Sequence, residues 1–241
     1  LLLLDKKVSY AASFGVSEIP ELFPKEINNI TSEDNFRVAY AKYLEKFSSI
    51  SVREQTGKTI VEELTNQQAE IVLDPTMLLT KEEWRKLARG EKQQEEYILI
   101  YSLDNKKELF EQAQKISKKL NLPIKQIFAK PKSKKYGIKN IYTDPFEWVG
   151  SFLNASYIIT DSFHGTAFSI NLEKPFKVFY HEGKNTYTRI DNLLEMFGLE
   201  NQKMTADSIV TGKENIDYAD VRQKLDAQRE KSFEFIDKSL K

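Results

Sequence analysis

His164 occupies the position in this chain where residue type and spacing most favour chemistry. It lies in a polar turn at 161–165, between an apolar run at 157–160 and a short helix predicted at 166–172, and a second apolar run follows at 176–180. That order predicts a βαβ unit, in which ligands bind beyond the carboxyl ends of the strands. An imidazole there can exchange a proton at neutral pH, since it titrates near pH ~6.5. A lone histidine is more often structural, and the context is what favours catalysis.

The first turn of the predicted helix also favours an anionic ligand. Its backbone N–H groups lack intrahelical partners, and the positive end of the helix dipole lies at the same point. Gly165 has no side chain, which we expect to let a ligand approach the backbone. Asp161 and Ser162 precede the helix and are expected either to cap it or to contact the ligand.

Arg53 is a second candidate, because it directly follows a strand predicted at 49–52. Its simplest role is an ion pair with Glu54 or another carboxylate, worth ~0 to 1 kcal/mol at a surface. A planar guanidinium can instead hold a phosphate or carboxylate bidentately, with Glu54 orienting it. The residue types alone leave both roles open.

Two further cations follow the βαβ unit. Lys184 lies in the loop after the predicted strand at 176–180, and Arg189 opens the next predicted helix. Either can supply positive charge for an anion, although Lys184 is equally consistent with a solvated surface lysine. His181, the second histidine, is expected only to border the pocket.

Alternating strands and helices must position these residues. Apolar runs typical of strands occur at 8–12, 49–52, 71–73, 97–103, 123–128, 157–160 and 176–180. Helical segments separate them, which predicts an α/β fold with mostly parallel sheets. We predict the C-terminal part of a first α/β domain at 1–90, a second α/β domain at 91–212 that holds the βαβ unit, and a helix at 213–241 that crosses back to the first domain.

Composition excludes several classes of function. The 241 residues carry 36 basic and 36 acidic side chains, so no net charge favours nucleic acid or a membrane surface. Cysteine is absent, which excludes thiolate chemistry and disulfides and fits a reducing cytoplasm. No apolar run approaches the ~20 residues of a membrane-spanning helix. Recognisable metal motifs and a G-x-S-x-G elbow are also missing from the sequence, which therefore predicts neither a metal site nor a serine hydrolase.

Five segments of the chain form a further pattern. They are SYAASFG at 9–15, SVRE at 51–54, VLDPTMLL at 72–79, TDSFHGTAFSI at 160–170, and the loop containing Lys184 together with TRIDNLLEMFGL at 188–199. In this order they resemble the polysaccharide pyruvyl transferases. The joint order is far more specific than any one segment, and the resemblance extends over most of the chain.

The resemblance implies a fold and an activity. The implied fold has two Rossmann-like domains facing each other across a cleft, the glycosyltransferase-B type. Because the chain begins at Leu1 without the glycine-rich segment found in the family, we expect its first domain to be incomplete. The implied activity transfers a pyruvyl group from phosphoenolpyruvate to two hydroxyls of a sugar, forming a cyclic ketal and releasing phosphate. The acceptor would be a bacterial exopolysaccharide, another cell-surface polysaccharide or a lipid-linked precursor.

The resemblance also suggests roles for single residues. The family histidine that matches His164 is regarded as essential, and the arginine that matches Arg53 is assigned to anion binding, so His164 and Arg53 are the expected catalytic residues. The residues expected to bind substrate are Lys184, Arg189, Ser162, Gly165, Asp161 and Glu54. No cofactor is implied besides phosphoenolpyruvate as the donor substrate, and the implied location is the cytoplasm or the inner face of the membrane.

Two other functions stay open at this point. The same fold type serves glycosyltransferases that use nucleotide sugars, although the sequence lacks a convincing E-x7-E pair near 155–184. A non-catalytic protein that binds anions or assists assembly is the second alternative. The identity of the acceptor and the oligomeric state do not follow from the sequence.

Overall fold

The computed structural model describes residues 6–16, 18, 36–90, 95–127, 136–181, 187–212 and 215–241. The chain divides into two compact units, each assembled from separate segments. Unit 1 comprises Leu1–Leu78, Asn185–Asn192 and Asp226–Lys241, and unit 2 comprises Leu79–Lys184 and Leu193–Leu225. The predicted domain division at residue 90 stays a prediction; by packing, residues 79–90 belong to unit 2.

The described residues form strands and helices in near alternation. The strands are β1 (Val8–Ala12), β2 (Ser49–Val52), β3 (Ala69–Ile71), β4 (Ile98–Tyr101), β5 (Ile124–Ile127), β6 (Lys139–Ile141), β7 (Tyr157–Thr160), β8 (Phe176–Phe179) and β9 (Lys203–Met204). The helices are α1 (Phe36–Leu44), α2 (Gln55–Leu64), α3 (Lys81–Leu87), α4 (Lys107–Leu120), α5 (Pro145–Asn154), α6 (Phe163–Asn171), α7 (Thr188–Phe197) and α8 (Tyr218–Leu240). None of the described helices combines the length and the hydrophobicity that a membrane span requires.

Unit 1 is built on a parallel sheet in the order β1-β2-β3. The apolar side chains of Ile50, Val52, Val61 and Ala69 form a buried core between this sheet and α2. Both strand pairings are parallel, so the carboxyl ends of all three strands lie at one edge. The second half of α8 packs on the same unit, where Ser232 Oγ accepts the backbone N–H of the chain just after β3, at 3.0 Å.

Unit 2 is built on a six-stranded sheet in the order β6-β5-β4-β7-β8-β9, and every pairing is parallel. Counted along the chain within this unit, the order is 3-2-1-4-5-6, the doubly wound arrangement. The central strands are apolar and buried, as expected of strands covered on both faces. Buried side chains of β4, β7 and α4 form one core cluster, including Ile98, Ile100, Tyr157, Ile159, Leu109 and Ile116.

Local signals explain where the helices of unit 2 begin and end. Asp144 caps α5 by accepting the N–H groups of Phe146 and Glu147, each at 2.8 Å, and Pro145 occupies the first helical position. Asn121 ends α4 in the left-handed conformation at φ 54°. These are the short-range signals that the sequence pattern depends on.

The structure confirms an α/β fold with parallel sheets and corrects one boundary that matters for the site. The sequence predicts that α6 begins at residue 166, whereas it begins at Phe163, directly after its cap Ser162. His164 therefore lies in the first turn of the helix rather than in a turn before it. The short strands β6 and β9 are not predicted from the sequence.

Candidate functional residues of each unit

The point where the strand order of unit 2 reverses lies between β4 and β7. From β4 the chain continues to β5 on one side of the sheet, and from β7 it continues to β8 on the other side. Doubly wound proteins bind ligands in the crevice that forms between two such strands. The loop after β4 begins at Ser102, and the loop after β7 consists of Asp161 and Ser162. The described site of unit 2 is built from these loops and from residue 181, which follows β8.

Asp161 joins the two loops at the switch point. Its Oδ1 accepts the N–H of Leu103 at 2.7 Å. Its Oδ2 accepts the hydroxyl of Ser102 at 2.6 Å and the N–H of Asp104 at 3.3 Å. His181 Nε2 lies 3.0 Å from the same oxygen and donates to it, because an ionised carboxylate only accepts. The side chains of Asp161 and His181 are 1% and 2% exposed.

Electrostatics keep this carboxylate ionised. Burial alone would raise the pKa of Asp161, but hydrogen bonds from His181, Ser102 and two backbone N–H groups outweigh burial, and the pKa is lowered from 3.8. Asp161 was expected to cap α6 or to contact the ligand. In the structure it fixes the loop after β4, and Ser162 is the cap. Contact of Asp161 with a ligand stays a prediction.

Three potential metal ligands come together here, although the sequence predicts no metal site. One ligand atom each of Asp104, Asp161 and His181 lies within 4.8 Å of the others. A carboxylate offers about four acceptor positions, and Asp161 already uses four for protein donors. This donor set is satisfied as a hydrogen-bond network, and we interpret it as the support of the loop rather than as a metal centre.

The first turn of α6 places His164 at the surface. Ser162 Oγ accepts the N–H of Gly165 at 3.5 Å, and the Thr160 hydroxyl accepts the N–H of Ser162 at 3.1 Å. The same hydroxyl donates to the carbonyl of Tyr101 at 2.6 Å, which ties β7 to β4. All residues of α6 except His164 are buried. A titratable ring is thus held at a fixed, exposed position at the positive end of a helix.

The structure explains the glycine at position 165 by close packing, whereas the sequence suggests the approach of a ligand. The sequence suggests that it lets a ligand approach the backbone. In the structure a Cβ at this position would lie 2.1 Å from Thr160 Oγ1 and 3.1 Å from the ring of Tyr101. Glycine is therefore needed so that α6 can pack directly on the ends of β7 and β4. A contact between Gly165 and a ligand stays a prediction.

Two residues of this edge have a larger role than the sequence suggests. His181 is buried in the network of Asp161, where the sequence predicts only a residue at the border of the pocket. Lys106, the N-cap of α4, lines a cavity of about 300 Å³ together with Tyr180 and His181. The strand order would have revealed both, because it brings the loops after β4 and β8 to one edge.

The edge of unit 1 holds Arg53 at the carboxyl end of β2. Its guanidinium pairs with Asp74, which follows β3, and not with Glu54. The other oxygen of Asp74 accepts the N–H of Thr76 at 3.0 Å and its hydroxyl at 2.7 Å. Burial raises the pKa of Asp74, but the bonds from Thr76 and the charge of Arg53 lower it overall. The ion pair expected as the simplest role of Arg53 is present, and a further role in anion binding stays a prediction.

Glu54 is buried beside Arg53 and does not orient it through a hydrogen bond. Its Oε1 accepts the N–H of Phe14 at 3.0 Å, which joins the loops after β1 and β2. Although Glu54 is the N-cap of α2, its side chain makes no capping bond. It is only 1% exposed.

The remaining two predicted cations are Lys184 and Arg189. Lys184 lies outside the described residues, and its role stays a prediction. Arg189 was predicted with His164 in the second domain, whereas the first residues of α7, up to Asn192, group with unit 1 and the rest of the helix groups with unit 2. A role of Arg189 in binding substrate stays a prediction.

The strand order of unit 2 defines it as a doubly wound α/β domain. The family model for polysaccharide pyruvyl transferase matches residues 1–183. The chain therefore belongs to the polysaccharide pyruvyl transferase family. Among curated protein sequences, none is significantly similar to it.

Solved structures of sugar-nucleotide enzymes are similar at low identity. The UDP-GlcNAc 2-epimerase of Methanocaldococcus jannaschii in complex with UDP-GlcNAc and UDP is 15% identical, with a TM-score of 0.48 over 77% of this chain and 55% of that one. UDP-N-acetylglucosamine 2-epimerase of Rickettsia bellii is 15% identical, with a TM-score of 0.40 over 80% of this chain and 60% of that one. The chain thus spans less than two thirds of the length of these proteins.

Proposed function

We propose that the chain transfers a pyruvyl group from phosphoenolpyruvate to two hydroxyls of a sugar, forming a cyclic ketal and releasing phosphate. The observation that carries the proposal is the position of His164 in a chain of this family. The imidazole is exposed in the first turn of α6, at the switch point of a doubly wound sheet. The acceptor would be a sugar of a cell-surface polysaccharide or of its lipid-linked precursor, and the reaction would take place in the cytoplasm.

The chemistry needs a proton donor and a cradle for negative charge. In our proposal His164 gives its proton to the methylene carbon of phosphoenolpyruvate, and a sugar hydroxyl adds to the neighbouring carbon and loses its proton. A second hydroxyl then displaces phosphate from that carbon. The methylene becomes a methyl group. One of the two hydroxyl protons replaces the proton that His164 gave, and the other leaves on phosphate, so atoms and charges balance.

In unit 2, charge stabilisation would come from the N-terminus of α6, which supplies a positive dipole end beside His164. Lys106 is a weaker candidate, because Glu108 and Asp207 line the same cavity. Arg53 supplies a guanidinium at the edge of unit 1, with its charge partly offset by Asp74. Arg53, Lys184 and Arg189 would neutralise the negative charge of phosphoenolpyruvate in this proposal.

An assay of both products tests the proposal. The unaltered chain is incubated with phosphoenolpyruvate and, separately, with the methyl β-glycosides of galactose, mannose and glucose. Inorganic phosphate is measured, and the new ketal methyl group is followed by proton NMR. We expect both products to grow in equal amounts with at least one glycoside. Transfer from UDP-sugars or GDP-sugars would instead identify a glycosyltransferase, and binding of phosphoenolpyruvate without products would indicate a non-catalytic protein.

A further inference from the structure

Four positively charged side chains of unit 2 line one cavity of about 390 Å³. They are Lys81 and Arg85 in α3, Arg89 just after this helix, and Lys174 just before β8. Glu173 is the one acidic residue in the lining that the described residues form. Because Lys81 and Arg85 are four residues apart, they lie on the same face of the helix. A cavity with this lining favours an anion.

The cavity lies at the opposite end of the strands from His164. Lys174 precedes β8 and Asn154 precedes β7, and these two strands are parallel neighbours, so both residues lie at the amino edge of the sheet. His164 follows β7 at the carboxyl edge. A strand of this length extends roughly 13 Å. A small anion in the cavity would therefore be separate from the edge that carries His164.

Lys174 shows most clearly that positive charge in the cavity is not balanced. Its Nζ donates to the carbonyl of Ala155 at 2.9 Å, and no carboxylate of the described residues pairs with it. A backbone carbonyl accepts a hydrogen bond but does not neutralise a full charge. Burial, and after it the charges of Lys81 and Arg85, lower the pKa of Lys174 to about 8. An anion bound among these three cations would offset their mutual repulsion.

Glu173 does not balance the charge of the cavity. One of its oxygens accepts from Lys81 Nζ at 2.6 Å, and the other accepts from Arg222 Nε at 2.8 Å and from Arg222 Nη2 at 2.6 Å. Burial raises the pKa of Glu173, but the bonds from both cations lower it overall. The carboxylate is therefore ionised and is shared by two cations. It leaves no negative charge for the other three cations of the lining.

The two arginines have only distant carboxylate neighbours in the part of the chain that is described. Arg85 Nη1 lies 3.8 Å from Glu82, and Arg89 Nη1 lies 3.9 Å from Asp144. Both distances exceed the range of a hydrogen bond. The side chains of the arginines are 58% and 67% exposed, and exposed ion pairs contribute only ~0 to 1 kcal/mol. Both guanidinium groups are thus accessible to a ligand.

Packing holds the wall of the cavity in place. The N–H of Arg89 donates to the carbonyl of Phe146 at 3.0 Å, and Arg89 Cζ lies 4.8 Å from the centre of the Phe146 ring. A Cβ on Gly150 would lie 1.9 Å from the carbonyl oxygen of Arg89, so only glycine permits this close approach. The rings of Trp84 and Phe168 pack with centroids 5.0 Å apart, which fixes α3 on α6. The backbone that carries the cations is therefore arranged before a ligand binds.

We propose that Lys81, Arg85, Arg89 and Lys174 form an anion site that binds a phosphate group with two or more negative charges. Arginine holds phosphate oxygens with two parallel N–H groups, and lysine supplies a compact charge. A neutral sugar would leave the charge of the cavity unbalanced. Soluble diphosphates and the head group of phosphatidic acid both carry such a phosphate. The proposal is independent of the proposed function, because it concerns the other edge of the sheet.

Calorimetric titration of the full chain with inorganic pyrophosphate tests the site, at neutral pH and without divalent metal. The unaltered chain should bind pyrophosphate. Lys174→Met removes the half-buried charge at similar length, and we expect at least tenfold weaker binding, since a hydrogen bond to a charged group contributes about 1.5–3 kcal/mol. Arg85→Gln removes an exposed charge with little risk to the fold, and we expect about threefold weaker binding.

Lys86→Gln is the matched control, because Lys86 is an exposed cation of the same helix that does not line the cavity. Its Kd should equal that of the unaltered chain. Absence of pyrophosphate binding to the unaltered chain would overturn the proposal. Equal weakening by Lys86→Gln and Arg85→Gln would also overturn it, because it would indicate unspecific attraction to a basic surface. Binding that is lost in Arg53→Ala but kept in Lys174→Met would assign the anion to unit 1 and overturn the proposal as well.

Flotation with lipid vesicles separates the two sources of the phosphate group. The full chain is mixed with vesicles of phosphatidylcholine alone or of phosphatidylcholine with phosphatidic acid. Binding that requires phosphatidic acid and is lost in Lys174→Met would identify a lipid head group as the ligand. Binding of pyrophosphate without binding to either vesicle would identify a soluble phosphate compound.

Discussion

The two units each contain a junction of the same form, in which a buried strand is followed by two residues and then by a helix with glycine in its third position. In unit 1 the junction runs from β2 through Arg53 and Glu54 to Gly57 of α2, and in unit 2 it runs from β7 through Asp161 and Ser162 to Gly165 of α6. The residue before each helix makes different hydrogen bonds in the two units. Ser162 caps its own helix, whereas Glu54 bonds to the neighbouring loop through one oxygen, and its other oxygen is buried without a hydrogen bond from the described residues.

This difference suggests that the two junctions have different functions. At the junction of unit 2, the polar groups satisfy one another, and the exposed imidazole of His164 is the group presented to a ligand. At the junction of unit 1, Oε2 of Glu54 is buried and no described residue donates to it. The first arrangement suits a proton donor on a rigid support, whereas the second leaves a buried acceptor unsatisfied.

The largest effect is expected from the presented imidazole. His164→Ala should slow release of phosphate from phosphoenolpyruvate at least 100-fold, since a positioned general acid contributes about 10² to 10⁴. The melting temperature should not change, because the side chain is exposed. Tyr142→Ala, at a site that is 85% exposed in the same unit, is the control and should keep full activity. A rate within threefold of the unaltered protein would remove His164 from the mechanism.

The satisfied carboxylate of unit 2 should matter for stability. Asp161→Asn keeps the size and one acceptor for Leu103, but its NH₂ group cannot accept from Ser102 or His181. We expect the free energy of unfolding to fall by about 3 kcal/mol, as when hydrogen bonds to a buried carboxylate are lost. Urea unfolding measures it. Asp104→Asn in the same loop is the control with an expected loss below about 1 kcal/mol, and equal losses in both variants would contradict the network.

The two glycines sharpen the comparison further. Gly165→Ala would push a Cβ to 2.1 Å from Thr160 Oγ1, whereas at Gly57 the nearest atom lies at 3.1 Å, the Oε1 of Glu54. We expect overpacking to cost about 2 kcal/mol at Gly165. At Gly57 the contact and the better helix propensity of alanine should nearly cancel. Urea unfolding of both variants gives the difference, and similar costs would show that α6 is not packed as closely as described.

The smallest effect concerns acid. The pKa of Asp161 is lowered in the folded state, so its contribution to stability is fully present above the ordinary pKa of 3.8 and is lost as the pH falls through the folded pKa. Asp161→Asn should therefore lose less stability than the unaltered protein between pH 5 and pH 3. Parallel curves of unfolding free energy against pH would show that the carboxylate is not stabilised by its partners.

The sequence predicts the fold well where the signals are local. Alternation of apolar strands with capped helices was enough to locate β7, α5 and the βαβ unit around His164. The start of α6 was missed because residues 163–165 contain a bulky ring, a histidine and a glycine, which do not favour a helix, while the cap at Ser162 and the packing on Thr160 do. The short strands β6 and β9 form because a neighbouring strand is there to pair with, which no local pattern shows.

The site was predicted less completely, because its contacts are long-range. His181 and Asp161 are 20 residues apart, and their bond follows from the adjacency of β7 and β8. The pairing of Arg53 with Asp74 likewise depends on β2 and β3 lying side by side. For Arg189, the sequence placed the whole of α7 in one domain, whereas its first turn packs with unit 1. The spacing of residues along the chain is enough to list candidate site residues. Identifying their hydrogen-bond partners also requires the strand order.

Calorimetric titration with phosphoenolpyruvate tests the central claim most directly. Separate titrations with UDP-GlcNAc and GDP-mannose test the alternative that the protein is a glycosyltransferase. The account predicts that phosphoenolpyruvate binds the unaltered chain, that the two nucleotide sugars do not, and that Arg53→Ala weakens binding. Binding of a nucleotide sugar without binding of phosphoenolpyruvate would contradict the account and identify a glycosyltransferase in its place.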